Sequence, residues 1–156
     1  MIEIRDELKA EYERWSRLAG NGNCTGCIID VHDVLRAHFL LIDYFFQEGH
    51  QVGGVGPRSL DMLHSAVSRQ SVAFGGRTKW RDNFDLCATL FFGLIKNHPF
   101  HDANKRTALL IVLYYLRKIG RTPDATQRDF ENLTLRIASN RLKDYPAFKR
   151  FSKLDD

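Results

Sequence analysis

The sequence predicts an all-α fold, a helical bundle with one small β-hairpin. Apolar residues recur at three-to-four spacing in one segment after another, which is the period of a helix with one buried face. Glycines and prolines fall mainly between those segments, where helices end. The stretch that breaks the pattern is short and carries Gly75-Gly76 at its centre. With 156 residues the chain suits a single hydrophobic core.

Taken in order, residues 3–18 read as an amphipathic helix on Ile4, Leu8, Tyr12, Trp15 and Leu18, ended by Gly20-Asn21-Gly22-Asn23. Plain packing on the core is its expected role. Residues 28–48 form a longer helix with the stripe Ile28, Val31, Leu35, Phe39, Ile42 and Phe46, closed by Gly49. His32 and His38 within it read as surface or core residues rather than ligands. Gly53-Gly54-Val55-Gly56-Pro57 is a loop, and Ser59 is the expected N-cap of a helix from about 60 to 69.

Residues 71–80 change character. Val72 and Phe74 alternate with small residues before Gly75-Gly76 and Arg77-Thr78-Lys79-Trp80, the pattern of a tight hairpin. A lone hairpin is marginal in water, so it rests on a body or takes a partner. Its exposed edge offers unpaired backbone groups to an extended peptide; a merely decorative surface hairpin is the alternative. Residues 83–97 return to helix with a wide apolar stripe, including Leu86, Cys87, Leu90, Phe91, Leu94 and Ile95, which predicts burial. A further helix runs from about 104 to 119, capped by Gly120 and stopped by Pro123. Residues 126–139 give another, with Phe130, Leu133, Ile137 and Ala138 inward. A last short helix is expected around 145–153 on Tyr145, Phe148 and Phe151.

Composition excludes several classes. The chain is 44% hydrophobic and 27% charged, ordinary for a soluble domain. Its longest apolar run, residues 108–116, falls far short of the roughly 20 residues that cross a membrane. The N-terminal residues lack a basic-then-apolar leader pattern, so a cytoplasmic location is expected. A net charge of +4 with interspersed signs does not point to nucleic acid. Three cysteines are too few for a disulfide framework. Cys24-Thr25-Gly26-Cys27 lacks both the second pair of a zinc site and a βαβ context, and reads as an ordinary reduced pair.

The chemistry concentrates in His98-Pro99-Phe100-His101-Asp102-Ala103-Asn104-Lys105-Arg106-Thr107, which runs straight into the apolar helix. A helix N-terminus carries unpartnered N–H groups and partial positive charge, so it suits phosphate. Lys105 and Arg106 in that first turn are unfavourable unless an anion joins them. Pro99 is expected to hold His98 in extended backbone. An unperturbed imidazole is able to take a proton at neutral pH. Phe100, apolar within a polar loop, is expected to plug into the core. Asp102 is a hard oxygen donor suited to magnesium, with helix capping as the alternative. Asn104 has an amide for a phosphate oxygen, and Lys105 and Arg106 have charge to neutralise a phosphoryl transition state, Arg106 bidentately. Thr107 divides between phosphate contact and packing; His101 reads as surface.

These residues resemble the core motif of the Fic/Doc (Fido) superfamily, His-x-Phe-x-Asp/Glu-Gly-Asn-Gly/Lys-Arg. The Asp102-Ala103-Asn104-Lys105-Arg106-Thr107-Ala108 form resembles its Doc, or death-on-curing, branch, as do residues 60–70. The resemblance spans roughly residues 28 to 140, with 28–156 as the implied domain and 1–27 as an accessory helix and linker. It implies a Fic/Doc-type helical bundle in which the hairpin is a flap that adds a target segment as an edge strand through Val72, Ala73, Phe74, Gly75 and Gly76. It implies His98 as the base on a target hydroxyl, Arg106 and Lys105 as further catalytic residues, Asp102 as the Mg2+ ligand, and Ala103, Asn104, Lys105 and Arg106 as the phosphate-binding turn, with ATP as co-substrate.

The departures from the general pattern are informative. Ala103 replaces the first Gly, Lys105 the second, and Leu109 stands where a second Arg is common. Less room and one fewer phosphate clamp favour γ-phosphate transfer, the Doc outcome, over AMP transfer. A self-inhibitory Ser/Thr-x-x-x-Glu-Gly/Asn segment is not found; the nearest match, Thr126 to Glu131-Asn132, has the wrong spacing. The resemblance therefore implies a separate antitoxin chain, and a target in a cytoplasmic protein, with elongation factor Tu the first to try. Two other classes stand beside this reading. One is a transition-metal hydrolase built on His98, His101 and Asp102. The other is a catalytically degenerate binding module.

Overall fold

The computed structural model describes residues 4–22, 24, 26–71, 73–74, 77–78, 83–123, 126–138 and 152–154. The helices are α1 (Asp6–Leu18), α2 (Val31–Gln47), α3 (Leu60–Ser68), α4 (Asn83–Asn97), α5 (Asn104–Lys118) and α6 (Gln127–Ala138). A 3-10 turn, Arg69–Ser71, extends α3. The fold is all-α, as the periodicity predicts.

The helix boundaries follow from local chemistry. Asp30 and Asp33 form a reciprocal capping box at the start of α2, with Asp33 N donating to Asp30 Oδ1 at 2.9 Å and Asp30 N to Asp33 Oδ2 at 3.0 Å. Ser59 Oγ accepts from Met62 N at 3.2 Å and so caps α3 as expected. α2 and α5 are followed by left-handed Gly49 and Gly120.

α4 is the central helix. Its residues from Cys87 to Ile95 are buried, and it packs between α3 and α5. Ile111, Val112, Tyr115 and Leu116 of α5 close the core from one side and Leu63, Ala66 and Val67 of α3 from the other. α2 lies on α5, and α1 lies on α2, where Leu8 joins Phe39 and Ile42 in a second apolar cluster. An ion pair from partly exposed Arg5 to buried Asp43 ties the start of α1 to α2. Buried Gln70 clamps the segment before α2: its Nε2 donates to the carbonyls of Ile29 and Val67 at 2.9 Å, and its Oε1 accepts from Ile28 N at 3.2 Å.

Two short antiparallel ribbons accompany the helices. β1 (Ala73–Phe74) pairs with β2 (Arg77–Thr78) in the register Ala73↔Thr78 and Phe74↔Arg77, which supports the expected hairpin. Val72, Gly75, Gly76 and Trp80 lie outside the described residues. The second ribbon, β3 (Arg121–Pro123) with β4 (Ser152–Leu154), corrects the expectation of one hairpin only. It also corrects the last helix: Ser152 and Lys153 are extended and paired with Pro123 and Thr122, while residues 145–151 lie outside the described residues. Helical periodicity in so short a segment yields to strand pairing with a partner about thirty positions away.

Cys24 and Cys27 are joined as a disulfide, with Cα atoms 5.4 Å apart, in place of the reduced pair expected. The turn in which Cys27 N donates to Cys24 O at 3.1 Å brings them within bridging range. The remaining cysteine, Cys87, is buried in the core, where burial pushes its thiol up.

Candidate active site

α4 ends at Asn97 and α5 begins at Asn104, so the motif is the turn between two closely packed helices. Its backbone is laid along residues 56–59. The N–H groups of Arg58 and Ser59 donate to Pro99 O at 2.7 and 3.1 Å, His101 N donates to Gly56 O at 3.3 Å, and Phe100 pairs with Pro57 in an antiparallel bridge. The motif turn is thus held like a strand.

His98 is exposed at the first position past α4, with φ of 46°. This left-handed backbone corrects the extended one expected from Pro99. Helices commonly end on such a residue, and here that requirement overrides the pre-proline preference. Phe100 is buried, as expected, and stacks on the ring of buried His38, with centroids 3.8 Å apart and planes 9° from parallel.

Asp102 is bound by two backbone donors, Gly53 N to Oδ2 and Ala103 N to Oδ1, each at 2.7 Å. Those bonds, aided by the charge of Arg106, hold its carboxyl below the usual carboxylate range. The capping alternative does not hold, because the N-cap of α5 is Ala103 and the helix has no side-chain cap. One ionised carboxylate with lone pairs to spare fits magnesium, which typically takes one or two carboxylates and completes its shell with water and phosphate oxygens. Among the described residues no three His, Cys, Asp or Glu side chains gather to hold a metal, so His98, His101 and Asp102 are not brought together as a transition-metal set.

Ala103 sits at φ of 62°, a conformation natural to glycine. Asn104 folds back on the loop: Oδ1 accepts from Phe100 N at 2.9 Å and Nδ2 donates to Phe100 O at 3.0 Å. The amide expected to meet a phosphate therefore braces the turn. Thr107 is buried, its Oγ1 3.2 Å from His38 Nδ1, which decides for packing. Lys105 and Arg106 are exposed in the first turn of α5, and among the described residues neither has a carboxylate partner in an ion pair. Arg106 lies over the Phe45 ring, 4.9 Å from its centroid. Both cations border a groove of about 670 Å³, whose wall includes Leu109, Leu113 and Leu135. His101 is exposed, as expected.

Of the hairpin expected as a flap, the structure describes the backbone pairing of Ala73 and Phe74 with Thr78 and Arg77. It precedes α4, whereas His98 follows the far end of that 15-residue helix, about 22 Å along its axis.

Sequence reasoning passed over three contributors. His38 bonds both Gly56 N, at 3.2 Å, and Thr107, and so links α2, the glycine loop and α5. The glycine loop approaches the motif closely: a Cβ at Gly54 would stand 2.7 Å from His101 Cβ, and one at Gly53 would stand 3.4 Å from Asp102 Oδ2. Three glycines in four positions were the available signal for that approach. The third is Arg58, whose guanidinium bonds the carbonyls of Asn97 and His98.

No curated protein matches the chain. The Fic/DOC family profile matches residues 28–116, more than half of the chain, and takes in α2 through most of α5 with the whole motif turn. Members of that family generally transfer a phosphate or nucleotide to proteins. On that match, and with the His98 to Arg106 turn in the form described, this chain belongs to the Fic/DOC family.

Proposed function

We propose that this chain is a Doc-like toxin that transfers the γ-phosphate of ATP to a serine or threonine hydroxyl of a cytoplasmic protein, with elongation factor Tu as the first candidate. The observation that carries the reading is the turn itself. An exposed imidazole, a carboxylate held ionised by backbone donors, and two cations that have no ion-pair partner among the described residues lie within nine positions at a helix N-terminus without a side-chain cap. His98 takes the proton of the target hydroxyl. Asp102 orients magnesium, which when bound neutralises phosphate charge. Lys105 and Arg106, with the free N–H groups of α5, receive the nucleotide phosphates. Ala73 and Phe74 of the flap, with Val72, Gly75 and Gly76, serve the target segment as a strand edge.

Lys105 and Leu109 favour phosphate over AMP transfer. Leu109 is partly buried against the core and lines the apolar groove, so its position supplies no phosphate clamp. We assign residues 28–156 to the transferase domain and 1–27 to an accessory element, and a separate antitoxin chain to its control. Among the described residues no helix is long and apolar enough to cross a membrane.

The test is intact-protein mass spectrometry of elongation factor Tu after incubation with this chain, magnesium and ATP, beside a His98→Ala control. A gain of one phosphate, about 80 Da and absent from the control, is expected. A gain of one AMP, about 329 Da, would assign the chain to nucleotidyl transfer instead. If neither arises there or in a whole bacterial lysate with labelled ATP, the transferase reading fails.

A further inference from the structure

The last carbonyls of a helix have no partner within it and carry the negative end of its dipole. At the end of α4 one side chain takes the last of them and the carbonyl that follows it. Arg58 Nη2 donates to Asn97 O at 3.1 Å and Arg58 Nε to His98 O at 3.0 Å. Two donors on a rigid planar fork reach two successive carbonyls, so they orient the peptide planes on both sides of His98 together. That backbone needs orienting. His98 is held at φ of 46° and precedes a proline, a combination that an L-residue rarely adopts unaided.

Arg58 is itself well anchored. Its N–H donates to Pro99 O at 2.7 Å, and its neighbour Ser59 caps α3. Asn97 Nδ2 adds a bond to Met62 O at 3.0 Å, so both ends of the contact are stitched to the start of α3. Among the described residues Arg58 has no carboxylate in an ion pair. The donors placed by the structure go to the backbone that carries the imidazole.

We infer that Arg58 is a positioning residue for His98: by bonding the Asn97 and His98 carbonyls it holds the imidazole where the target hydroxyl is met. The inference rests on the transferase reading, with Arg58 touching neither nucleotide nor target.

Arg58→Ala and Arg58→Lys separate this role from plain structural support. In Arg58→Ala, kcat falls on the order of tenfold or more, with KM for ATP within about twofold of the parent, because the nucleotide turn on α5 is untouched. Arg58→Lys, which bonds one carbonyl but not both, is intermediate. The independent readout is the backbone 13Cα and 13Cβ shift of His98, which reports its left-handed conformation. It is expected to move in Arg58→Ala while the shifts of Phe91 and Ile111 stay in place. A parent chain that modifies no protein sinks the transferase reading, and the His98 shifts then decide whether Arg58 shapes this backbone. Arg58→Ala with kcat within twofold of the parent, or with unmoved His98 shifts, overturns the inference.

Discussion

The ring of His38 is buried between Phe39 and Phe100, and Gly56 N donates to its Nε2. Since a backbone N–H only donates, Nε2 must be unprotonated and the ring hydrogen sits on Nδ1, facing Thr107 Oγ1. Protonation would set donor against donor at Gly56. Burial pushes the imidazole down from 6.5 to about 3; the Asp102 charge opposes this and the His101 charge adds to it. The folded value lies below the unfolded one, so between about pH 3 and pH 6.5 the unfolded chain binds a proton that the native chain does not. Stability is complete above pH 6.5 and falls with acidification through that window. At pH 5 the linkage amounts to about 2 kcal/mol, and any folded value below about 4 yields nearly the same figure. Urea unfolding followed by circular dichroism at pH 7 and pH 5 measures it, beside His38→Gln, which retains one donor and one acceptor but does not titrate. The parent is expected to lose about 2 kcal/mol more than the variant. Comparing the two chains cancels the other histidines. Equal losses in both chains would refute the buried neutral ring.

Three further outcomes follow from the turn. Ala103→Gly relieves a left-handed residue and should raise unfolding free energy by about 0.5–1 kcal/mol, read by urea titration at pH 7. Asn104→Ala leaves both backbone groups of Phe100 without that partner and should lower stability by about 1–3 kcal/mol in the same assay, with activity lost through the turn rather than through nucleotide contact. Asp102→Asn should lower phosphate transfer at least a hundredfold, since it removes the metal-directed charge. It should also cost about 1–3 kcal/mol of stability, because its amide would meet the N–H of Gly53 or Ala103.

Much of the fold was legible because helix signals are local. The stripe from Leu86 to Ile95 marked the buried central helix, Ser59 and Gly49 marked an entry and an exit, and Phe100 announced itself as an apolar plug in a polar loop. The motif residues were legible as chemistry for the same reason, since His98 to Arg106 are consecutive. The β3–β4 ribbon was not, because Arg121 and its partner Leu154 lie far apart and neither strand exceeds three residues.

The sequence by itself determined which groups are available: an imidazole, a carboxylate and two cations at the start of an apolar helix. Tertiary structure decided what each of them does. Gly53 reaches Asp102 across 49 positions, Arg58 reaches His98 across 40, and His38 reaches Thr107 across 69. Such partners leave no periodicity or spacing to read. They turn Thr107 inward, brace the backbone around His98 and keep Asp102 ionised, because a hydrogen bond depends on proximity in space rather than along the chain.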